Sequence, residues 1–361
     1  MTIRIFNPEH DIALAANLSN FTAPHAGRQL RHDLGFLPAL WAEEGDIVLV
    51  DDAEQARRSF HRFKGLASRY LEGSLHISAC QFAHSPSVFS SVQAQRLDPW
   101  GWDLALKARL LRLGVSEKQL PSDNQLDAIR HLSHRRTAIQ QLPCLQREGT
   151  LGESFECTST EEIEEIIRRY GRLVLKAPWS SSGRGLRFVQ ESAFKTDHLM
   201  GWLRNLLNAQ GSVIAEPYYN KVKDFGMEFM VSECGEVRYL GLSLFHTANG
   251  AYTGNILATE SKKREMINRY IPINLLDDIQ KNICTSLAPK FSNHYTGPFG
   301  VDMMICTSPD GQFLLHPCVE INLRRTMGHV ALSLTPTDDD VMRVMRIEYA
   351  DNNYKLKIQQ L

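Results

Sequence analysis

Apolar residues along this chain recur with two periods, and the places where the period changes mark its elements. Residues 3–6 form a short strand-like run, and Asn7-Pro8-Glu9-His10-Asp11 after it reads as a loop. Leu30, Leu34, Leu37 and Trp41 recur at helical spacing, which predicts a helix over 24–42. Residues 46–50 then predict a buried strand. Strand, helix and strand at this length predict a parallel βαβ unit, whose ligands gather beyond the carboxyl ends of the strands. The 7–11 loop stands at such an end. It is a candidate acceptor-binding loop, or else an Asn-Pro turn in which Asp11 caps a short helix.

Trp102, Leu106, Leu110 and Leu113 share one face of a helix predicted over 99–113, and Ser122-Asp123 opens another that runs to Leu132. His131 and His134 near its end have no third ligand close by in sequence, so exposed histidines are expected there. A domain boundary is expected within 121–143. Ser159-Thr160-Glu161-Glu162 is a capping box for a helix to Tyr170. Strands are predicted at 172–177, 185–190, 212–216, 224–232 and 236–245, and helices at 192–209 and 274–291. Residues 243–255 are polar and contain glycine, which reads as a loop, either ordinary or carrying binding groups. Residues 341–347 and 354–358 flank Asp351-Asn352-Asn353 as a hairpin.

Composition narrows the class. The chain has 361 residues, enough for two or three domains, with 43% hydrophobic and 22% charged residues. A net charge of −1 gives no reason to expect a polyanion as bulk partner, and no basic groove with interleaved aromatics is present, so no nucleic-acid partner is expected. Seven scattered cysteines without a Cys-x-x-Cys argue against zinc or a disulfide framework and for free thiols. Cys318 is expected as a buried strand residue rather than a catalytic one. The N-terminus is too short and polar for a signal peptide, and no apolar run approaches the ~20 residues of a membrane span. A soluble, cytoplasmic protein with no membrane partner is expected.

Three segments carry chemistry. The apolar run 173–175 ends in Lys176, is followed by Ala177-Pro178-Trp179-Ser180-Ser181-Ser182-Gly183-Arg184-Gly185, and resumes at Leu186. Such a loop can close over an anion with its N–H groups while the lysine supplies a point charge. It is not a Walker loop, because strand rather than helix follows and the Gly-Lys-Ser/Thr ending is missing. A serine/glycine hairpin with a snorkelling lysine fits equally. Further on, Gly300-Val301-Asp302-Met303-Met304-Ile305 reads as a strand with one acid, and a Pro309-Asp310-Gly311 turn leads into 312–322. Glu320 and Asn322 point to one face of that strand, and the turn brings Asp302 beside them. Two carboxylates and an amide suit a hard cation such as Mg²⁺ (or Mn²⁺), though a hairpin with a wet polar face reads the same way.

The order of these pieces resembles the ATP-grasp superfamily over roughly 133–334. The resemblance implies an α/β ATP-grasp fold of two α+β subdomains behind a Rossmann-like pre-ATP-grasp domain. It places that first domain at 1–132 and the ATP-grasp domain at 133–361, with the small subdomain at 143–215. It implies that Lys176, Ser180, Ser181, Ser182, Gly183 and Gly185 hold the ATP phosphates. It further implies that Glu216, Pro217, Tyr218 and Tyr219 hold adenine, that Asp224 holds the ribose, and that Asp302, Glu320 and Asn322 ligate magnesium. Where relatives carry a second phosphate lysine this chain has His134-Arg135-Arg136-Thr137, so Arg135 or Arg136 takes that place, Arg136 being the assigned candidate. After Asn322 stands Leu323-Arg324-Arg325, and either arginine is a candidate to stabilise the transferring phosphoryl group. Lys176, Arg324 and Arg325 are thus the candidate catalytic residues.

The implied activity is ATP- and Mg-dependent, ADP-forming ligation of a carboxylate to an amine through an acyl phosphate, with small-molecule substrates and a homodimer allowed for. Two alternatives stand beside it: a kinase acting on a small-molecule acceptor through the same ATP site, and a non-catalytic nucleotide-binding module. The metal triad speaks against the last. The sequence names neither acid nor amine, because acceptor sites are built from loops without motifs.

Overall fold

The computed structural model describes residues 1–71, 78–84, 96–180, 185–248 and 251–361. Ser181, Ser182 and Gly183, expected in the phosphate loop, lie outside the described residues.

The chain opens with a parallel sheet of β1 (Thr2–Ile5), β2 (Ile47–Leu49), β3 (Gln81–Ala83) and β4 (Arg96–Pro99), in the order β3-β2-β1-β4. The expected βαβ arrangement is there, and β1 lies where the strand order reverses. In such sheets the crevice at that reversal is where ligands bind. The helix expected over 24–42 is shorter: His25–Asp33, then a 3₁₀ turn at Leu37–Leu40. Pro38 lacks the N–H that a continuing α-helix needs, and it sits in the first positions of the new turn. Similarly, 99–113 begins as the end of β4, and its helix starts only at Leu104, where Asp103 accepts from the Leu106 N–H. Helices at Ala53–Tyr70, Arg136–Leu145 and Glu260–Asn268 were not anticipated.

A second, antiparallel sheet holds β5 (Phe155–Cys157), β6 (Arg172–Lys176), β7 (Leu186–Gln190) and β8 (Val213–Pro217), in the order β5-β8-β6-β7. Helices Thr160–Tyr170 and Asp197–Gln210 bury Ile163, Ile167 and Leu203 with Leu173, Leu175 and Val213 of this sheet.

The third sheet is antiparallel and seven-stranded. It holds β9 (Asn220–Val231), β10 (Val237–Ala248), β11 (Ala251–Leu257), β12 (Gly297–Thr307), β13 (Phe313–Asn322), β14 (Arg343–Ala350) and β15 (Asn353–Gln360), in the order β13-β12-β9-β10-β11-β14-β15. Phe225, Met227, Phe229 and Val231 alternate onto one face of β9 and share a core with Leu276, Ile279, Ile283 and Phe291 of helix Ile273–Phe291. Of the loop expected over 243–255, residues 249–250 lie outside the described residues and the rest are the paired ends of β10 and β11, with Phe245 opposite Asn255 and His246 opposite Gly254. Its polar residues occupy the face turned away from the core, so strand pairing hides beneath a loop-like composition. The terminal hairpin turns on Asp351 (φ 53°) and Asn352 (φ 58°), as a two-residue turn with both centres left-handed requires. Leu356 and Ile358 of β15 then pack with Phe36 and Phe63 near the chain start. Among the described residues no helix is long and apolar enough to cross a membrane.

Candidate active site

A cleft of about 310 Å³ opens where the three sheets meet, lined by Phe6, Asp11, Trp100, Arg135, Lys176, Ser180, Asp302, Glu320, Asn322 and Arg324 among others. Pairing of β12 with β13 sets Asp302 directly opposite Glu320. Asn322 lies two pairs along, opposite Gly300, and donates from Nδ2 to Asp302 Oδ2 at 3.0 Å. Burial pushes the Asp302 carboxyl up to about 8, and the negative charges of Glu320 and Glu228 push in the same direction.

Lys176 ends β6 and is buried, with Nζ 2.5 Å from Glu216 Oε2 on β8. The Ala177 N–H donates to Gly185 O at 2.8 Å and closes the neck of the loop between β6 and β7. A side chain on Gly185 would lie 2.5 Å from Ser180 Oγ, so only glycine allows that neck.

Arg135 ties the loop to the acidic residues. Its Nη1 lies 2.8 Å from Glu320 Oε2, Nε donates to Ala177 O at 3.0 Å, and Nη2 donates to Ser180 Oγ at 3.3 Å. Arg136 turns the other way, to Glu156 Oε1 at 2.6 Å, and does not line the cleft. His134 is buried rather than exposed, edge-on to Trp179 at 4.6 Å between centroids. Its Nδ1 accepts the Arg136 N–H at 3.0 Å. Burial, with the charges of Arg136, Arg130 and Arg135, pushes the imidazole down to about 3.

The paired arginines after Asn322 separate in the same way. Arg324 lines the cleft and grips Asp11 with two parallel bonds, Nε to Oδ1 at 2.8 Å and Nη2 to Oδ2 at 2.7 Å. Burial alone would lower its affinity for the proton, but Asp11, Glu320 and Asp302 outweigh it and raise the group above its ordinary value. Asp11 is depressed in return: burial works against ionisation and the Arg324 charge wins. Arg325 points away, to Asp98 at 3.2 Å and over the Trp41 ring at 4.4 Å. The 7–11 segment therefore reaches the cleft, with Asp11 in the first turn of helix His10–Ala16.

The remaining predicted residues do not line the cleft, and Tyr218 lines a separate pocket with Arg172 and Phe188. Pro217 ends β8. Tyr218 is exposed and takes the Arg172 guanidinium over its ring at 4.0 Å. Tyr219 accepts the Glu153 N–H at 2.8 Å. Asp224 accepts from Lys221 Nζ at 2.6 Å and from Thr247 Oγ1. Cys318 is buried, and burial pushes its thiol up.

Two parts of the cleft escaped the sequence reading. Trp100 gave no signal. Glu228 did give one: it is a lone acid in the apolar run Phe225–Val231, on the strand face opposite the core residues.

Two antiparallel sheets around one cleft, one carrying Lys176 and the other the Asp302/Glu320 pair, behind a parallel sheet at the chain start, define an ATP-grasp fold behind a Rossmann-like domain. No protein-family model and no curated protein matches the chain. Among solved structures, the chain is similar to the biotin carboxylase domain of 2-oxoglutarate carboxylase from Hydrogenobacter thermophilus, solved as a dimer with MgADP, ADP and bicarbonate. That likeness has a TM-score of 0.53 at 12% identity, over 96% of this chain and 74% of that one, and it supports the fold. N5-carboxyaminoimidazole synthetase from Staphylococcus aureus with ADP superposes less closely, with TM-score 0.49 and 14% identity over 96% of this chain and 82% of that one. So does a putative ATP-grasp superfamily protein from Archaeoglobus fulgidus, with TM-score 0.47 and 14% identity over 100% and 99%.

Proposed function

We propose that the protein is an ATP- and Mg²⁺-dependent ligase that joins a carboxylate to an amine through an acyl phosphate, releasing ADP and phosphate. The observation that supports this best is the convergence of Lys176, Arg135, Asp302, Glu320 and Asn322 on one cleft. On this reading the first domain is 1–132 and the ATP-grasp domain 133–361, with its small subdomain at 143–215.

The residues fit a magnesium ion. Two carboxylates stand opposite each other, and the repulsion that helps raise Asp302 is what a divalent cation would relieve. Asn322 Oδ1 accepts from Arg324 Nη2 at 2.9 Å, and a bound ion would draw on the second lone pair of that oxygen. Among the described residues no cluster of three or more His, Cys, Asp and Glu could hold a metal, so the set is two carboxylates and an amide, which leaves positions for phosphate oxygens and water. When bound, the ion would neutralise charge on the β- and γ-phosphates.

The protein's own groups do the rest. Lys176 and Arg135 hold the triphosphate, Lys176 as a point charge oriented by Glu216, and Arg135 as a fork anchored to the loop base. Residues 216–219 border adenine and Asp224 accepts from the ribose hydroxyls. The substrate carboxylate attacks the γ-phosphorus and ADP leaves. The amine then attacks the acyl carbon and phosphate departs with the electron pair of the C–O bond. Arg324, fixed by Asp11, stabilises the phosphoryl group in flight, and the loop after Lys176 keeps water from the acyl phosphate. Arg325, turned towards Asp98, supports the wall.

Incubation of the protein with Mg-ATP and a panel of amino acids and small carboxylates, with and without amines, tests this. ADP and free phosphate should appear in equal amounts, with a product heavier by the amine minus water. Phosphate left on an acceptor would overturn the reading in favour of a kinase.

A further inference from the structure

On the strand beside Asp302, and close enough for its charge to act on that carboxyl, lies a carboxylate that the reading above does not use. Glu228 stands on β9, buried, and lines the cleft. Its strand neighbours on both sides are glycines, Gly241 and Gly300. A methyl on Gly300 would come within 2.7 Å of Glu228 Oε2, and one on Gly328 within 1.8 Å of Oε1. The carboxylate thus occupies a slot that only glycines leave open.

One oxygen is spent on the protein. Oε2 accepts from Thr326 Oγ1 at 2.9 Å and lies 2.9 Å from His329 Nδ1. Oε1 has no partner among the described residues. Lys263 feels the Glu228 charge but donates to Leu242 O at 2.7 Å instead. Glu228 lines the cleft and Oε1 is not among the buried atoms left without a partner, so this oxygen opens on the cleft, where a donor carried by a ligand can reach it.

The groups around Oε1 specify the donor. Ser243 Oγ would lie 2.5 Å from the same added methyl on Gly328, so it shares that corner. Ser243 is fixed by Asn255 Nδ2 at 2.8 Å, and Asn255 in turn by Tyr252 O–H at 2.5 Å. Ser243 and Glu228 offer acceptor lone pairs, and among the described residues no lysine or arginine donates to either side chain. Phe6 and Trp100, edge to face at 5.0 Å, and Met327 give the cleft an apolar wall, and the Trp100 carbonyl accepts the Arg325 N–H next to Thr326.

We propose that this corner is the amine subsite: it takes a primary amine as its ammonium on Glu228 Oε1 and Ser243 Oγ, with an apolar, ring-sized skeleton against Phe6, Trp100 and Met327, and the Glu228 carboxylate accepts the proton that the nitrogen loses before its lone pair attacks. This rests on the ligase reading of the same cleft and names its acceptor class. An ammonium has three donors and a full charge, which suits two acceptors of which one is a carboxylate oxygen. An alcohol of the same shape satisfies only one acceptor and leaves the charge alone.

The test uses the full chain with ADP and Mg²⁺, and benzylamine and benzyl alcohol as probes, with binding followed by ligand-observed NMR. Benzylamine should bind at least tenfold more tightly than benzyl alcohol. Glu228→Gln should remove that preference, and Ser243→Ala should weaken benzylamine about threefold. ADP affinity, measured by calorimetry on each variant, reports whether it is folded; if Glu228→Gln is not, Ser243→Ala carries the test. Equal binding of the two probes by the wild-type protein, or an undiminished preference in both variants, overturns the amine subsite. A wild-type chain that takes benzylamine but no ADP would overturn the ATP reading instead, so the two failures are distinguishable.

Discussion

Arg135 Nη1 lies 2.8 Å from Glu320 Oε2, so the helix-turn before the second sheet is joined to the acidic strand of the third. The same guanidinium holds Ala177 O and Ser180 Oγ at the loop base. One side chain therefore fixes the distance between the loop expected over the phosphates and the carboxylates expected around the metal. Its neighbour Arg136 makes none of these contacts.

Arg135→Ala should weaken ATP binding by about 1.5–3 kcal/mol, the usual scale of a charge-assisted hydrogen bond. Arg136→Ala should leave ATP affinity within about twofold, as expected for a surface change away from the site. Calorimetric titration with Mg-ATP measures both, and equal losses in the two variants would return the phosphate contact to either arginine.

Glu320→Gln should separate metal from nucleotide. The variant should still bind ADP without Mg²⁺ about as well as the wild type, and lose the gain that Mg²⁺ brings. Titration of ADP at several Mg²⁺ concentrations reads this directly. An unchanged Mg²⁺ dependence would remove Glu320 from the metal set.

Asp224 is held ready by Lys221 and Thr247. A carboxylate there can accept from both ribose hydroxyls. In Asp224→Ala the affinity for 2′-deoxy-ATP should approach that for ATP, while the wild type prefers ATP. Competition binding with the two nucleotides decides it; a variant that discriminates as the wild type does would place the ribose elsewhere.

His134 makes stability depend on pH. Burial and nearby arginines push it down to about 3 in the folded protein, whereas the unfolded chain takes up its proton near 6.5. A lowered basic group contributes its full stability above 6.5, and loses it as pH falls from there towards 3, because only the unfolded state gains the proton. Between pH 7 and 5 this costs about 2 kcal/mol at 1.36 kcal/mol per unit. Urea melts at both pH values should show a smaller drop for His134→Gln than for the wild type. Equal drops would mean that the imidazole is solvated.

Much of the frame is written locally. Alternation in 172–177 and 224–232, the Asp351-Asn352 turn and the Ser159 cap each follow from side chains a few residues apart, and each stands in the structure close to where its period places it. Where local reading failed, a neighbour distant in sequence had overridden it. The 243–255 segment looks like a loop because alternate residues are polar, but β9 and β14 pair with its backbone. His134 looks like a free helix end, but Trp179 and Ser212 enclose it.

The sequence by itself determined the order in which Lys176, Glu216, Asp302, Glu320 and Asn322 arrive, and that Glu320 and Asn322 share a face, because strand period fixes which way side chains point. Tertiary structure decided which of two adjacent arginines enters the cleft, at 135–136 and again at 324–325, since adjacent residues point apart and only packing chooses between them. It also brought Asp11 to Arg324 and set Glu228 between two glycines. Those relations join residues from different strands and from opposite ends of the chain. Their geometry is fixed by sheet register and by the meeting of three sheets, and neither is encoded in any short stretch of sequence.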